Sequence, residues 1–492
     1  MKKYLIICLL ASLMGCSKHF LDENPKGQVV GSNAVSNING LDAALTGAYK
    51  GYLRTWAQGF LTSAVQGFAM GGDDLTTIPG GNKADFREMD QFDVTANNDR
   101  ISQIWNGCYK AIQGANNVIG NAAKVQGDQT QINEILGEAY YLRALGYYWL
   151  TRGFGNIPLV TDVANGVTPD ELTMKPSPPT DVYKVIESDL LAADSLLPNT
   201  KRDPGRPNKG SAEALLADVY LTEGGWPVLD NSKYALAAQW SKKVIDNAAT
   251  YGFGLADLND LWSQQNPPDI TKIGKEEVMA FQTNANYGGS NNAFAGASTT
   301  PPEEGGWEDY EAEINFFNNF PAGLRKDLTF HTVFTKADGT TVNWQNSTDG
   351  HPYYAKFRVP DNSLYFTNVP VYMMRYAHVL LIYAEAQARA DGTPNADAYT
   401  ALNGVHTRAG LTPLSGLSND DFITAVVNER AWEFAAEGTT RWFDLQRLQM
   451  VEQANSAPNR SPLENAIIAN PITKANYWFP VPLADANINP NL

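Results

Sequence analysis

A mainly α fold is predicted, in which tetratricopeptide-like helix pairs form a scaffold and a large irregular, loop-rich insert with a few short strands interrupts it. Apolar residues recur at helical spacing in Leu142, Leu145, Trp149 and Leu150, in Leu215, Leu216, Val219 and Tyr220, and in Tyr376, Val379, Leu380 and Tyr383, each set lying on one helix face. The helical stretches fall in consecutive pairs: 131–152 with 180–197, 211–223 with 232–248, and 371–390 with 395–408. Small residues such as Ala144, Gly146, Ala212, Ala214, Ala384 and Ala386 permit close helix packing, although the strict period of a regular repeat array is not kept. Residues 71–100 and 250–370, by contrast, are rich in Gly, Pro, Asn, Thr and aromatics without helical stripes. The second of these is too long for a connecting loop.

The elements follow in order. Lys2 and Lys3 precede an apolar run, Tyr4 to Met14, that ends at Leu13-Met14-Gly15-Cys16. A run of this length reads as a secretory signal, since a bilayer-spanning helix needs about 20 apolar residues. Residues 1–15 are therefore expected to be removed and Cys16 to be lipidated, several acyl chains giving durable anchoring where one is marginal. Losing Lys2 and Lys3 takes the formal charge from -16 to -18. Residues 16–40 are polar and Gly/Asn/Ser-rich, a tether. One domain is expected over 41–492, with the scaffold at about 41–250 and 371–492 and the insert at about 251–370, where Glu277 to Thr283 and Tyr354 to Val359 are candidate strands. Cys108, the one cysteine left in the domain, sits in a helical pattern and is expected to be buried and inert. Trp226 and Trp262, at helix ends, are expected to be core. In Phe154-Gly155 the glycine can end a helix in a left-handed cap, and Pro158 prevents its resumption.

Composition narrows function. With 37 Lys and Arg against 53 Asp and Glu, the surface repels phosphate backbones, so nucleic acid is not the partner. The chain carries 11 Trp, 22 Tyr and 20 Phe and is rich in Asn and Gly, a mixture suited to neutral polar ligands. The five histidines, His19, His331, His351, His378 and His406, are scattered, with no zinc spacing, and there is no phosphate-binding loop and no nucleophile elbow. His378 reads as a satisfied core histidine. Glu303, Glu304, Glu308 and Asp309 cluster around Trp307; they offer carboxylates for glycoside hydrolysis, whose geometry decides, or form a solvated acidic loop. Glu437 and Asp444 near Arg441 read as helix ion pairs. Asp257, Asn259 and Asp260 are spaced like calcium ligands and equally suit an Asn/Asp turn. No other cofactor is indicated.

Several segments together resemble the SusD/RagB family of outer-membrane nutrient-binding lipoproteins. They are Cys16 with Phe20-Leu21-Asp22 and Pro25; Trp105, Tyr109, Ile112, Asn116 and Asn117; Leu142-Arg143-Ala144 through Phe154-Gly155-Asn156-Ile157-Pro158-Leu159; Lys209-Gly210-Ser211-Ala212 through Tyr220-Leu221; Met374-Arg375-Tyr376 through Glu385-Ala386; Asn403 with Arg408-Ala409-Gly410-Leu411; Glu429-Arg430 through Asp444-Leu445; and Phe479-Pro480-Val481-Pro482 with Asn489-Pro490. Arg143, Arg408 and Arg441 are forked donors suited to tying helix ends or carboxylates in place. His378 and His406 stand where the family usually carries an acidic residue and an arginine, which is expected to remove internal ion pairs.

The resemblance implies a SusD-like fold and a cell-surface, lipid-anchored, non-enzymatic glycan-binding protein of the outer membrane. It would capture an oligo- or polysaccharide and deliver it to a SusC-type TonB-dependent transporter. A sugar offers C–H faces and a rim of hydroxyls, so its site needs aromatic platforms edged by amides and carboxylates. The implied binding face draws on residues 71–100 and about 284–355. There Tyr287, Trp307 and Trp344 are the candidate platforms, and Asp73, Asn82, Asn291 and Asn292 the candidate hydrogen-bonding groups, with loop packing or turn formation the alternative at each. Two other readings stand beside this one: a protein-interaction scaffold without a small ligand, and a surface glycoside hydrolase.

Overall fold

The computed structural model describes residues 35–53, 68–163, 173–265, 267–284, 296–359, 367–438, 440–464 and 471–492. The signal segment, Cys16 and most of the tether lie outside them. The scaffold consists of α1 (Ile38–Leu53), α2 (Ala84–Asp90), α3 (Asp99–Asn121), α4 (Gln129–Phe154), α5 (Pro179–Leu196), α6 (Lys209–Glu223), α7 (Lys233–Asp246), α8 (Tyr376–Asp391), α9 (Ala396–Arg408), α10 (Asn419–Glu433) and α11 (Arg441–Arg447). Shorter helical turns lie between these. Up to α7, and apart from the short α2, the helices pack mainly on their chain neighbours, α1 on α3, α3 on α4 and so on. The next partner of α7 is α8, so residues 247–375 leave the stack and return to the place they left. The expected pairs are therefore found, with one correction: residues 371–375 are strand, not the start of a helix.

Local chemistry explains the boundaries. Asn98 accepts from the backbone N–H of Arg100 and Ile101, capping α3, and Asn208 and Ser211 form a reciprocal capping box at α6. The helix α4 stops at Phe154 because Gly155, with φ 70°, turns left-handed while its N–H still reaches Thr151 O. Small residues set the spacing: a methyl group at Gly114 would lie 2.7 Å from the Ala48 backbone. Arg143 makes a bidentate pair with Asp189 at 2.8 and 2.7 Å and also donates to Asn116, binding α3, α4 and α5 together. Cys108 is fully buried, and burial pushes its thiol pKa up, which keeps it inert.

The insert is built from short strands in two-stranded antiparallel pairs. β1 (Leu75–Thr76) pairs with β3 (Glu311–Ala312), and β2 (Glu277–Phe281) with β8 (Val371–Arg375). β4 (Phe330–His331) pairs with β7 (Tyr353–Tyr354), and β5 (Val333–Thr335) with β6 (Thr341–Asn343). The expected strand from Tyr354 to Val359 is thus only Tyr353–Tyr354. Short β-pairs are marginal by themselves, and here buried charge fixes them. Arg375, fully buried, donates to Glu276, Glu433 and Glu437. Arg408 joins the same cluster through Glu276 and Glu433, and Lys356 through Glu437.

Two sequence expectations about ion pairs change. Glu437 and Asp444 do not pair with Arg441: Glu437 serves Arg375 and Lys356, Asp444 serves Arg430 and Arg447, and Arg441 binds Asp73. Of these pairs, Asp444–Arg447 is a local one, three residues apart on α11, while the others join segments that helix periodicity does not connect. His406 keeps a carboxylate partner, its Nδ1 lying 2.7 Å from Glu429. His378 is the satisfied core histidine expected. It accepts from Arg375 N, bonds Thr440 and stacks on Phe434, and burial with the nearby Arg375 charge holds it neutral.

A second buried cluster underlies β3. Glu464 accepts from Ile314 N and faces His351 at 3.1 Å, with Glu311 on the other ring nitrogen at 3.5 Å. Burial alone would lower the His351 pKa, but the Glu464 hydrogen bond and the Glu311 charge outweigh it and raise it to about 9. Burial raises Glu311 to about 8. An unfolded histidine titrates near 6.5, so the histidine's contribution is fully present below that pH and is lost as pH rises toward 9. Urea midpoints are expected to fall between pH 6.5 and 9, a loss on the order of 2 kcal/mol. His351→Gln is expected to flatten that slope; an unchanged slope contradicts the assignment.

Candidate functional site

The 71–100 loop and the insert are knitted into one surface, and Trp307 stands on it. β1 lies against β3. Asp74 accepts from Tyr354 Oη through its carbonyl at 2.5 Å and from Ala436 N through its carboxylate at 2.9 Å. One turn later Lys83, with its side chain 2% exposed, reaches across to the carbonyl of Trp307 at 2.5 Å and to the carboxylate of Asp309. Trp307 N donates to Ala297 O at 2.7 Å, and Ser298 Oγ donates to Asp309 at 2.7 Å. Glu308 next to it has φ 50°, a left-handed conformation uncommon for a residue with a side chain, which the surrounding bonds maintain. The half-buried indole is therefore carried on a fixed backbone.

Carboxylates cluster beside its backbone. Burial raises the Glu308 pKa, reinforced by the charge of Asp349 against the pull of Lys83, and then by Asp309 and Glu303. Burial likewise raises Asp349, opposed by its hydrogen bond from Tyr353 and reinforced by Glu303. Asn82, next to Lys83 in the chain, is exposed. Such a surface repels anions and offers acceptors and an amide to hydroxyls.

The acidic segment 303–309 is not a solvated loop. Glu304 accepts from Thr335 N and Arg358 and bonds His331 at 3.0 Å. Burial favours its neutral form, but the His331 and Thr335 hydrogen bonds with the His331 and Arg358 charges prevail and lower its pKa to about 2. It is a fixed anion, unsuited to donate a proton at neutral pH. Glu303 accepts from Thr348 N and Oγ1 at 2.7 and 2.8 Å.

The other candidate residues separate. Trp344 is 9% exposed, packed in a small core with Ile314, Phe334 and Tyr353 and meeting Phe317 edge-on. Its faces are taken, which makes it a packing residue rather than a platform. Trp344→Ala is expected to lower stability by about 3–5 kcal/mol without a proportionate loss of ligand affinity, measured by urea unfolding beside calorimetry. Both carboxylate oxygens of Asp73 are engaged by Arg441 at 2.5 Å. Tyr287, Asn291 and Asn292 lie outside the described residues. Trp262 is core, 3% exposed, against Phe357 and Tyr372, and Trp226 packs on Trp478. Asp257 caps the turn Leu258–Leu261, accepting from Asn259, and Asp260 pairs with Lys272, the arrangement of an Asn/Asp turn. Among the described residues no group of three or more His, Cys, Asp or Glu is placed to hold a metal ion. Lys83 and Asp349 carry the site and were not anticipated. A lone lysine in a polar run and an aspartate 42 residues beyond Trp307 have no local signal, because their roles come from contacts between distant segments.

Comparison with known proteins supplies the context. A model of the SusD family matches residues 275–492, and one described as starch-binding associating with outer membrane matches residues 19–221. The SusD-like protein P2 of Formosa agariphila is 28% identical over 526 aligned residues, covering 100% of this chain and 99% of that one. A SusD superfamily protein from Parabacteroides distasonis superposes with a TM-score of 0.78 at 24% identity, covering 92% of this chain and 98% of that one. A laminarin-binding SusD-like protein does so with a TM-score of 0.74 at 24% identity over the same shares.

Proposed function

We propose, from the matches of the two family models and of the SusD-like relative, that this chain is a SusD-family protein and a non-enzymatic, cell-surface glycan-binding lipoprotein. It captures a neutral oligo- or polysaccharide at the Trp307 face and passes it to a SusC-type TonB-dependent transporter. The observation that carries this reading is Trp307, its backbone held by Lys83 and Ala297 beside the interacting carboxylates Glu303, Glu308 and Asp349. A half-buried aromatic stacks on the C–H face of a sugar, and the surrounding acceptors discriminate hydroxyls. The negative rim disfavours uronic and sulfated glycans. A laminarin-binding relative in fold and another solved with a xylogluco-oligosaccharide support the ligand class. Anchoring through Cys16 at the outer membrane belongs to the same proposal, with the helical stack left to face the transporter.

The test is affinity electrophoresis of the soluble protein beginning at Ser17 through gels containing neutral and acidic polysaccharides, with assay of released reducing ends. Retardation by a neutral glycan class without hydrolysis is expected. Product release would instead support a hydrolase. Transporter assembly without retardation by any glycan would support a protein-interaction scaffold.

A further inference from the structure

Where α4, α6, β8, α10 and α11 meet, the scaffold surrounds a cavity of about 30 Å³. Arg152, in the last turn of α4, lines it and is 6% exposed. Its guanidinium carbon lies 3.6 Å from the ring centroid of Tyr148 and 3.8 Å from that of Phe443. The rings cover the faces of the group and leave its edge, where the N–H donors point. Nε donates to the carbonyl of Tyr148 at 3.3 Å. Among the described residues neither Nη group has an acceptor, and no carboxylate pairs with it. Nη1 of Arg430 is sealed in the packing, whereas the Nη groups of Arg152 are reached from the open space beside them.

The other charges of the wall supply no counter-ion. Arg430 and Arg447 share Asp444, and Arg447 also takes Glu385. Asp218 accepts from the Tyr148 hydroxyl at 2.8 Å. The cavity is thus lined by three guanidinium groups and two carboxylates, one positive charge in excess, and a cation buried without its counter-charge is strongly unfavourable. Water can accept from the Nη groups but brings no charge. A space of about 30 Å³ admits one small ion or a water or two, which leaves out sulfate, phosphate and a sugar ring.

We propose that this cavity binds a single monovalent halide, chloride in ordinary salt, held by the Nη groups of Arg152 in the field of Arg430 and Arg447. The ion ties the end of α4 to α10 and α11, the two parts of the scaffold that the insert separates in sequence. The inference is independent of the glycan reading above.

The direct test is crystallography of the soluble protein from Ser17 grown in sodium bromide, with data collected at the bromine absorption edge. An anomalous peak is expected in the cavity, within hydrogen-bond reach of Arg152 Nη. It is expected to be lost in Arg152→Met, which keeps most of the side-chain volume without the charge. In solution, the urea midpoint of the parent is expected to rise with the logarithm of chloride concentration as chloride replaces gluconate at constant ionic strength. Arg152→Met, shown to be folded by circular dichroism, is expected not to respond. A cavity without bromine, empty or filled by water alone, overturns the site, and so does a parent midpoint that is the same in chloride and gluconate. A peak or a chloride dependence that survives in Arg152→Met overturns the assignment to Arg152. The two parent measurements decide the question even where Arg152→Met does not fold.

Discussion

Replacing Arg375 by alanine is expected to lower the stability of the folded chain by at least about 3–5 kcal/mol, because it strands buried carboxylates. The guanidinium is fully buried and makes hydrogen bonds to Glu276, Glu433 and Glu437 at 2.8–2.9 Å. Removing it leaves those three with only the charges of Arg408, Arg325 and Lys356 beside them. Against a typical total of about 5–15 kcal/mol, that loss is a large fraction. Arg375 ends β8, which pairs with β2, and it precedes α8, so its loss loosens the insert from the scaffold first. Urea unfolding followed by tryptophan fluorescence measures it. Arg375→Lys, which keeps charge but not the fork, is expected to recover only part. An alanine variant within about 1 kcal/mol of the parent contradicts a network that holds the two halves together.

The second large effect is on the site. A Cβ at Gly306 would lie 1.9 Å from the carbonyl oxygen of Thr300, so Gly306→Ala forces the backbone that presents Trp307 to move. Overpacking of this kind costs about 1–3 kcal/mol of stability. Misplacing the platform is expected to weaken glycan affinity at least tenfold, about 1.4 kcal/mol, in a protein that remains folded by circular dichroism. Parental affinity in Gly306→Ala would show that the 300–307 turn does not set the site.

How far these features were legible depended on the range of the interactions. The helix pairs could be read because α4, α6 and α8 carry their apolar periodicity locally, and the helix end at Phe154-Gly155 could be read from two residues. The lone cysteine and the neutral His378 followed from helical context. The boundary at 371–375 could not be read this way, since Val371 to Arg375 is buried throughout and a short buried strand has the same apolar run as a helix turn. Partner choice was illegible for Glu437 and Arg441, because the selected partners, Arg375 and Asp73, come from distant parts of the chain; Asp444 takes one local partner, Arg447, and one on α10, Arg430. In the site, Trp307 was singled out as an aromatic amid carboxylates, but Trp344 carried the same signal and is core. Nothing local distinguishes a tryptophan that caps a small cluster from one that stands over it. Lys83 is legible only once Trp307 and Asp309 are brought across to it.

The most direct test of glycan capture at the Trp307 face is calorimetry of the retained polysaccharide, or an oligosaccharide cut from it, against the parent and Trp307→Ala. A central aromatic anchor is worth about 2 kcal/mol or more, so at least a thirtyfold loss of affinity is expected with the unfolding midpoint little changed. A folded Trp307→Ala variant that binds as tightly as the parent would contradict the site.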